Sequence, residues 1–168
     1  ELAESLAKFR PKELCIVGKT ETENIGIDKV IKNVITNPTI RFLLLAGQDP
    51  KGHRSGKTLL AVSESGVDER MRVIGSPGRR PVLRNVSRDE VETFRKQVQV
   101  VDLVGCEDLE RITAKIRELS QSPVFLCGCE ECGHEITSTS VAAVTVIQAE
   151  APAKVEMDKA GYFVIIPQ

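Results

Sequence analysis

The sequence predicts an α/β fold: a parallel sheet with helices on both faces, followed by a short Cys-bearing, β-rich C-terminal extension. Three observations predict it. Short apolar runs alternate with amphipathic segments of helical period. The run Phe42–Ala46 is apolar throughout, as a strand covered on both faces requires. After Ser120-Gln-Ser-Pro123 the character shifts to Val, Thr and Ile.

In chain order, Leu14–Gly18 is a short buried strand ending at glycine. Ile27, Val30, Ile31, Val34 and Ile35 follow the i, i+3, i+4, i+7, i+8 spacing of a helix with one buried face. Asn37-Pro38 ends that helix, because the residue before proline disfavours helical geometry. Phe42–Ala46 is the second strand, and Ser55 is the expected cap of a helix running to Gly66. Arg72–Gly75 reads as a third strand, followed by the loop Ser76–Pro81. Ser87-Arg-Asp-Glu90 is a capping box opening a helix with Val91, Phe94 and Val98 inward. Gln99–Gly105 is the fourth strand, and Leu109, Ile112, Ile116 and Leu119 mark the last helix. Strands alternating with helices in this way imply βαβ units, so residues 1–121 are read as one Rossmann-like domain. Residues 122–168 are the β extension, with Thr139–Ala149 strand-like and Asp158–Gly161 a turn.

Composition narrows the functional classes. A hydrophobic fraction of 41% and a charged fraction of 28% are those of a soluble globular protein. A net charge of −1 without a basic tail argues against a general nucleic-acid binder. No apolar run approaches the ~20 residues that span a bilayer, and no signal peptide is present, so a cytoplasmic protein is expected. The chain opens at Glu1 rather than Met, as a fragment or a processed form would.

Residues 46–60, AGQDPKGHRSGKTLL, resemble a phosphate-binding loop, but the spacing fails. A P-loop needs Gly, four residues, then Gly-Lys-Ser/Thr, so that successive backbone N–H groups wrap one phosphate. Counting back from Gly56, the required glycine is Lys51; Gly52 is too close and Gly47 too far. In an open parallel sheet, ligands sit beyond the carboxyl ends of the strands. Gly18–Asn24, Gly47–Gly56 and Gly75–Pro81 should therefore line one rim, with His53 on it. An imidazole there is a general base, a metal ligand or a solvated loop residue, and spacing alone favours the last.

Four motifs occur in order: Gly18-Lys-Thr-Glu-Thr-Glu-Asn-Ile-Gly-Ile-Asp-Lys29, Asn37-Pro-Thr-Ile-Arg-Phe-Leu43, Gly52-His-Arg-Ser-Gly56 and Phe94-Arg-Lys-Gln-Val98. Together, over about residues 14–120, they resemble the A subunit of the methanogen tetrahydromethanopterin S-methyltransferase. The resemblance implies a cytoplasmic Rossmann-like domain that binds cobalamin, with His53 as the lower axial cobalt ligand. Neutral imidazole favours six-coordinate methylated cobalt over four-coordinate Co(I), so losing that bond on demethylation can drive a local movement. A carboxylate such as Asp49 or Glu21 is the expected tautomer-setting partner. Gly18, Lys19, Thr20, Glu21, Thr22, Asn24, Gly52, Gly56, Lys57, Thr58 and Gly75 complete the expected cofactor-binding set. Lys57 stands where the family usually has Gln, and Lys51 where other corrinoid carriers have Asp. Arg70, Arg72, Arg79, Arg80, Arg84 and Arg88 crowd one region, read as a solvated face or a contact for an acidic partner or phosphate group.

Where the family generally continues into a membrane-anchoring helix, this sequence has Cys127, Cys129, Cys132 and His134. Three soft ligands within six residues, without an export signal, point to a metal site. Zinc is the first expectation; an iron–sulfur cluster and free or disulfide thiols are the alternatives, with Cys15 or Cys106 as reserve ligands.

The resulting expectation is a soluble corrinoid protein, the methyl-carrier component of a cobalamin-dependent methyltransferase system. Its partners would be methyl-donor and methyl-acceptor methyltransferase proteins, with a homo-oligomer admitted. The rival readings are a nucleotide-binding enzyme and a metal- or redox-sensing module built on the Cys cluster.

Overall fold

The computed structural model describes residues 2–20, 22–49, 51–122 and 143–149, the last as backbone only. The elements in chain order are α1 (Leu2–Phe9), β1 (Leu14–Thr20), α2 (Ile25–Ile35), β2 (Ile40–Gly47), α3 (Ser55–Ser65), α4 (Arg88–Gln97), β3 (Gln99–Val104), α5 (Leu109–Ser120) and β4 (Ala143–Ala149). The four strands form one sheet in the order β1-β4-β2-β3, and every pairing is parallel.

The apolar run in β2 explains the layering. Side chains alternate across a strand, so one face of β2 presents Leu43 and Leu45, and the other Phe42, Leu44 and Ala46. The first set packs with Ile27, Val30, Ile31 and Val34 of α2, Leu59 and Val62 of α3, and Val91 and Phe94 of α4. The second packs with Leu2 and Leu6 of α1 and Ile112, Ile116 and Leu119 of α5. Helices therefore cover both faces, as the sequence predicted. The strand order is not the 3-2-1-4-5-6 of the dinucleotide-binding fold, because β4 lies between β1 and β2.

Three expectations change. The strand at 143–149, assigned to a separate extension, pairs with both β1 and β2 in the main sheet. Its β-branched composition suits an interior parallel strand as well as an appended one, so composition alone did not separate the two placements. Arg72–Gly75 is not a sheet strand. It makes only the antiparallel bridges Val67–Val73 and Arg72–Val82 within the long excursion between α3 and α4. Helix α1, which the sequence reading lacked, is only eight residues long, too short for a convincing period. No helix among the described residues is long and apolar enough to cross a membrane.

Candidate functional site

The loops that leave β1 and β2 both enter helices on the same face, so Glu23 and His53 come from neighbouring turns at the carboxyl edge of the sheet. Their side chains meet. His53 Nδ1 lies 2.5 Å from Glu23 Oε2, thirty residues away in sequence. Glu23 is 1% exposed, whereas the His53 side chain is 59% exposed. The other Glu23 oxygen, Oε1, accepts the Arg80 backbone N–H at 3.0 Å. Burial pushes the Glu23 carboxyl up; its own N–H, the Arg80 N–H and His53 more than offset this and hold it below the ordinary carboxylate value.

The chemistry of the pair follows. An ionised carboxylate can only accept, so Nδ1 carries the imidazole proton and donates it to Glu23. In the neutral ring Nε2 then keeps its lone pair, and it has no partner among the described residues. One nitrogen fixed by an acceptor and the other open is an arrangement that suits a metal ligand or a general base. The carboxylate expected from sequence was Asp49 or Glu21; the partner is Glu23.

Asp49 does a different task. Its Oδ1 accepts the Gly56 N–H at 3.1 Å and its Oδ2 the Lys57 N–H at 3.0 Å, capping α3 from outside the helix. These are the N–H groups a phosphate cradle at this helix would need, and they are taken. Ser55, the expected cap, instead donates its hydroxyl to the Thr20 carbonyl at 3.1 Å, tying α3 to the end of β1. The residue at the capping position, Arg54, has a left-handed backbone with φ 47°. A non-glycine residue held there costs about 1 kcal/mol or more. That strain sits immediately after His53.

The stretch Ser76–Arg80 forms a third wall. Ser76 Oγ is 2.7 Å from Thr58 Oγ1 and accepts the Gly78 N–H at 3.0 Å. The Thr58 hydroxyl donates to the Arg54 carbonyl at 2.8 Å. A side chain at Gly52 would meet the Arg79 guanidinium at 3.8 Å, and the backbone there, φ +119°, suits only glycine.

The expected cofactor-binding residues thus divide. Thr20, Gly52, Gly56 and Thr58 gather around the His53 loop. The Thr20 hydroxyl is buried and has no hydrogen-bond partner among the described residues. Thr22 and Asn24 are spent on the start of α2, accepting the Gly26 and Ile25 N–H groups. Lys19 turns the opposite way, its Nζ 3.9 Å from Glu4 of α1. Gly18 is within β1, and Gly75 faces open space. Lys57 Nζ is 2.7 Å from Asp102 Oδ2 of β3. Burial raises the Asp102 carboxyl, but the bonds from Lys57 and the Val104 N–H outweigh it and hold it low. Beside that pair, β2 and β3 send their helices to opposite faces of the sheet, opening a cavity of about 330 Å³ lined by Asp102–Cys106 and Arg111.

Among the described residues, no three His, Cys, Asp or Glu converge as a metal cluster. Cys15 is near the start of β1 and Cys106 just beyond the end of β3, at opposite ends of a parallel sheet, so the two cannot share one ion. Cys127, Cys129, Cys132, His134 and Glu21 lie outside the described residues.

Residues 10–126 match the family model of the tetrahydromethanopterin S-methyltransferase A subunit, MtrA. The chain is 46% identical over 110 residues to the protein named as that same A subunit in Methanocaldococcus jannaschii, covering 64% of this chain and 46% of that one. It is 41% identical over 106 residues to a Methanosarcina barkeri protein named as the A subunit of the putative methyltransferase Mtx, covering 63% and 54%. The chain spans about half the length of the curated relatives it matches.

Proposed function

Since the chain belongs to the MtrA family, that of the tetrahydromethanopterin S-methyltransferase A subunit, we propose that it is a corrinoid-binding unit of a methyl-transfer system, in which His53 Nε2 would hold the cobalt. The observation that carries this reading is the His53–Glu23 pair, which leaves one imidazole nitrogen open on the solvent side. The donor set fits. A neutral imidazole suits cobalt, the buried Thr20 hydroxyl offers a hydrogen bond to a cofactor amide, and Gly52 keeps the rim of the loop low. When bound, the corrinoid supplies a cobalt centre that accepts and releases a methyl group.

The chain's own contribution is to hold and to aim. Glu23 keeps the proton on Nδ1 and raises the basicity of Nε2 through that hydrogen bond. Asp49 fixes the first turn of α3, which begins two residues after His53. Methyl-donor and methyl-acceptor methyltransferase proteins are the partners this role requires, and they would bring the groups that attack and receive. The M. jannaschii relative is named as one subunit of a methyltransferase, which supports a protein that works with others.

The direct test is titration of the purified chain with hydroxocobalamin, followed by its visible spectrum. The expected result is a histidine-ligated spectrum that His53→Ala abolishes, with affinity lower by about tenfold or more. An unchanged spectrum and affinity in His53→Ala would reject His53 as the ligand.

A further inference from the structure

We propose that Gly78 is a positioning residue for the His53–Glu23 pair, and so for the cobalt ligation proposed above, on which its functional consequence rests. A Cβ added at Gly78 would stand 2.9 Å from the His53 carbonyl oxygen, 2.9 Å from Thr58 Oγ1 and 3.0 Å from Glu23 Cγ. Three elements of the site meet at this one atom position: the backbone of the histidine, the stem of its carboxylate partner and a hydroxyl at the start of α3. None can give way easily. The first is backbone, the second belongs to a buried side chain held at both oxygens, and the third is fixed by the Arg54 carbonyl and Ser76 Oγ.

Gly78 does not lie in the left-handed region, unlike Gly75, whose φ is +74° and where an added Cβ would meet nothing within 4 Å. Glycine is therefore needed at 78 for space and at 75 for backbone freedom. Two residues on, the Arg80 N–H closes on Glu23 Oε1, so the same loop sets both the height of His53 and the direction of its carboxylate. The arginines that made this segment conspicuous in the sequence are exposed, while its small residues and backbone face the site. A methyl or larger group at 78 must push the His53 loop away from Glu23, freeing the imidazole to exchange tautomers.

The experiment compares wild type, Gly78→Ala and Gly75→Ala by histidine-selective ¹⁵N NMR without cofactor, the His53 signals being assigned by their loss in His53→Ala. Wild type should show His53 predominantly protonated at Nδ1, and Gly75→Ala, which strains its own backbone but puts no atom against the site, should shift the ratio less than Gly78→Ala does. Gly78→Ala should move the tautomer ratio toward Nε2–H by about tenfold and weaken hydroxocobalamin binding about 10- to 100-fold. A tautomer ratio and affinity equal to wild type in Gly78→Ala overturn the proposal. A tautomer shift upholds the positioning even if wild type takes no hydroxocobalamin, an outcome that defeats the cobalt ligation alone. Should Gly78→Ala not fold, Ser76→Ala removes the hydroxyl that holds the Gly78 N–H without adding bulk. It should shift the ratio in the same direction, and an unshifted ratio there rejects the idea.

Discussion

The starts of α3 and α4 solve one problem in opposite ways. Each helix must satisfy N–H groups that have no partner in its own first turn. At α4 the answer is local: Ser87 Oγ accepts the Glu90 N–H at 3.1 Å, and the Glu90 carboxylate in return accepts the Ser87 N–H at 2.6 Å. At α3 the preceding residue, Arg54, is left-handed and caps nothing, and Asp49 reaches in from the middle of the loop. The α3 loop is held at one end by Asp49, in the middle by Glu23 on His53, and through Thr58 by Ser76. A self-contained cap builds a stable helix. A cap drawn from a distance builds a helix and a histidine site together.

The largest break in that comparison should come from Glu23, which the α4 start has no counterpart for. Its carboxyl is held below the ordinary value of 4.5, so the sign is that of a depressed acid. The stability it contributes is fully present above pH ~4.5 and is lost as pH falls through the lower folded value. Glu23→Gln should lose about 2 kcal/mol at neutral pH, from the buried bonds to His53 and the Arg80 N–H. The difference from wild type should shrink below pH ~4, as the wild-type carboxyl itself protonates. Urea unfolding at pH 7 and at pH 3.5 measures both; a difference that stays constant between them would assign the loss to something other than this ionisation.

What the sequence made legible follows the same division. The capping box Ser87–Glu90, the buried stripe Ile27–Val34 and the doubly covered strand Phe42–Ala46 were readable because their signals lie within a few residues. His53 was findable only through the family resemblance. Glu23 was passed over for Asp49 and Glu21, because a contact across thirty residues leaves no local periodicity to read. Gly78 was hidden by its neighbours: Arg79 and Arg80 drew attention to charge, whereas the loop contributes through a missing side chain and a backbone N–H. The place of β4 between β1 and β2 was illegible for a related reason, since strand order is set by pairing and not by composition.

Asp49→Ala is the next step down in size. It leaves the Gly56 and Lys57 N–H groups without their acceptor, and a lost cap costs about 1–2 kcal/mol. On the proposed ligation by His53, which the same loop carries, hydroxocobalamin affinity should also fall, by about tenfold. Thermal unfolding and spectral titration of one preparation give both numbers. A stability loss with unchanged corrinoid affinity would show that the cap and the histidine are separable after all.

The smallest effect is expected at the helix that carries no site. Ser87→Ala removes one half of the α4 capping box, leaving the Glu90 N–H unsatisfied at an exposed helix end, which costs about 1 kcal/mol. Glu90 can still reach the Ser87 backbone N–H, so the second bond of the box survives and the loss stays small. Val91 and Phe94 remain packed against α2 and α3, which keeps α4 in place while its first turn frays. The His53 tautomer ratio and the hydroxocobalamin affinity should therefore equal those of wild type. If Ser87→Ala weakened corrinoid binding as much as Asp49→Ala, the distinction between a local cap and a distant one would have no functional meaning. The excursion from Gly66 to Ser87 would then transmit strain as a unit, with the Asp28 carboxylate, which accepts the Arg84 and Asn85 N–H groups, as the link through which it passes.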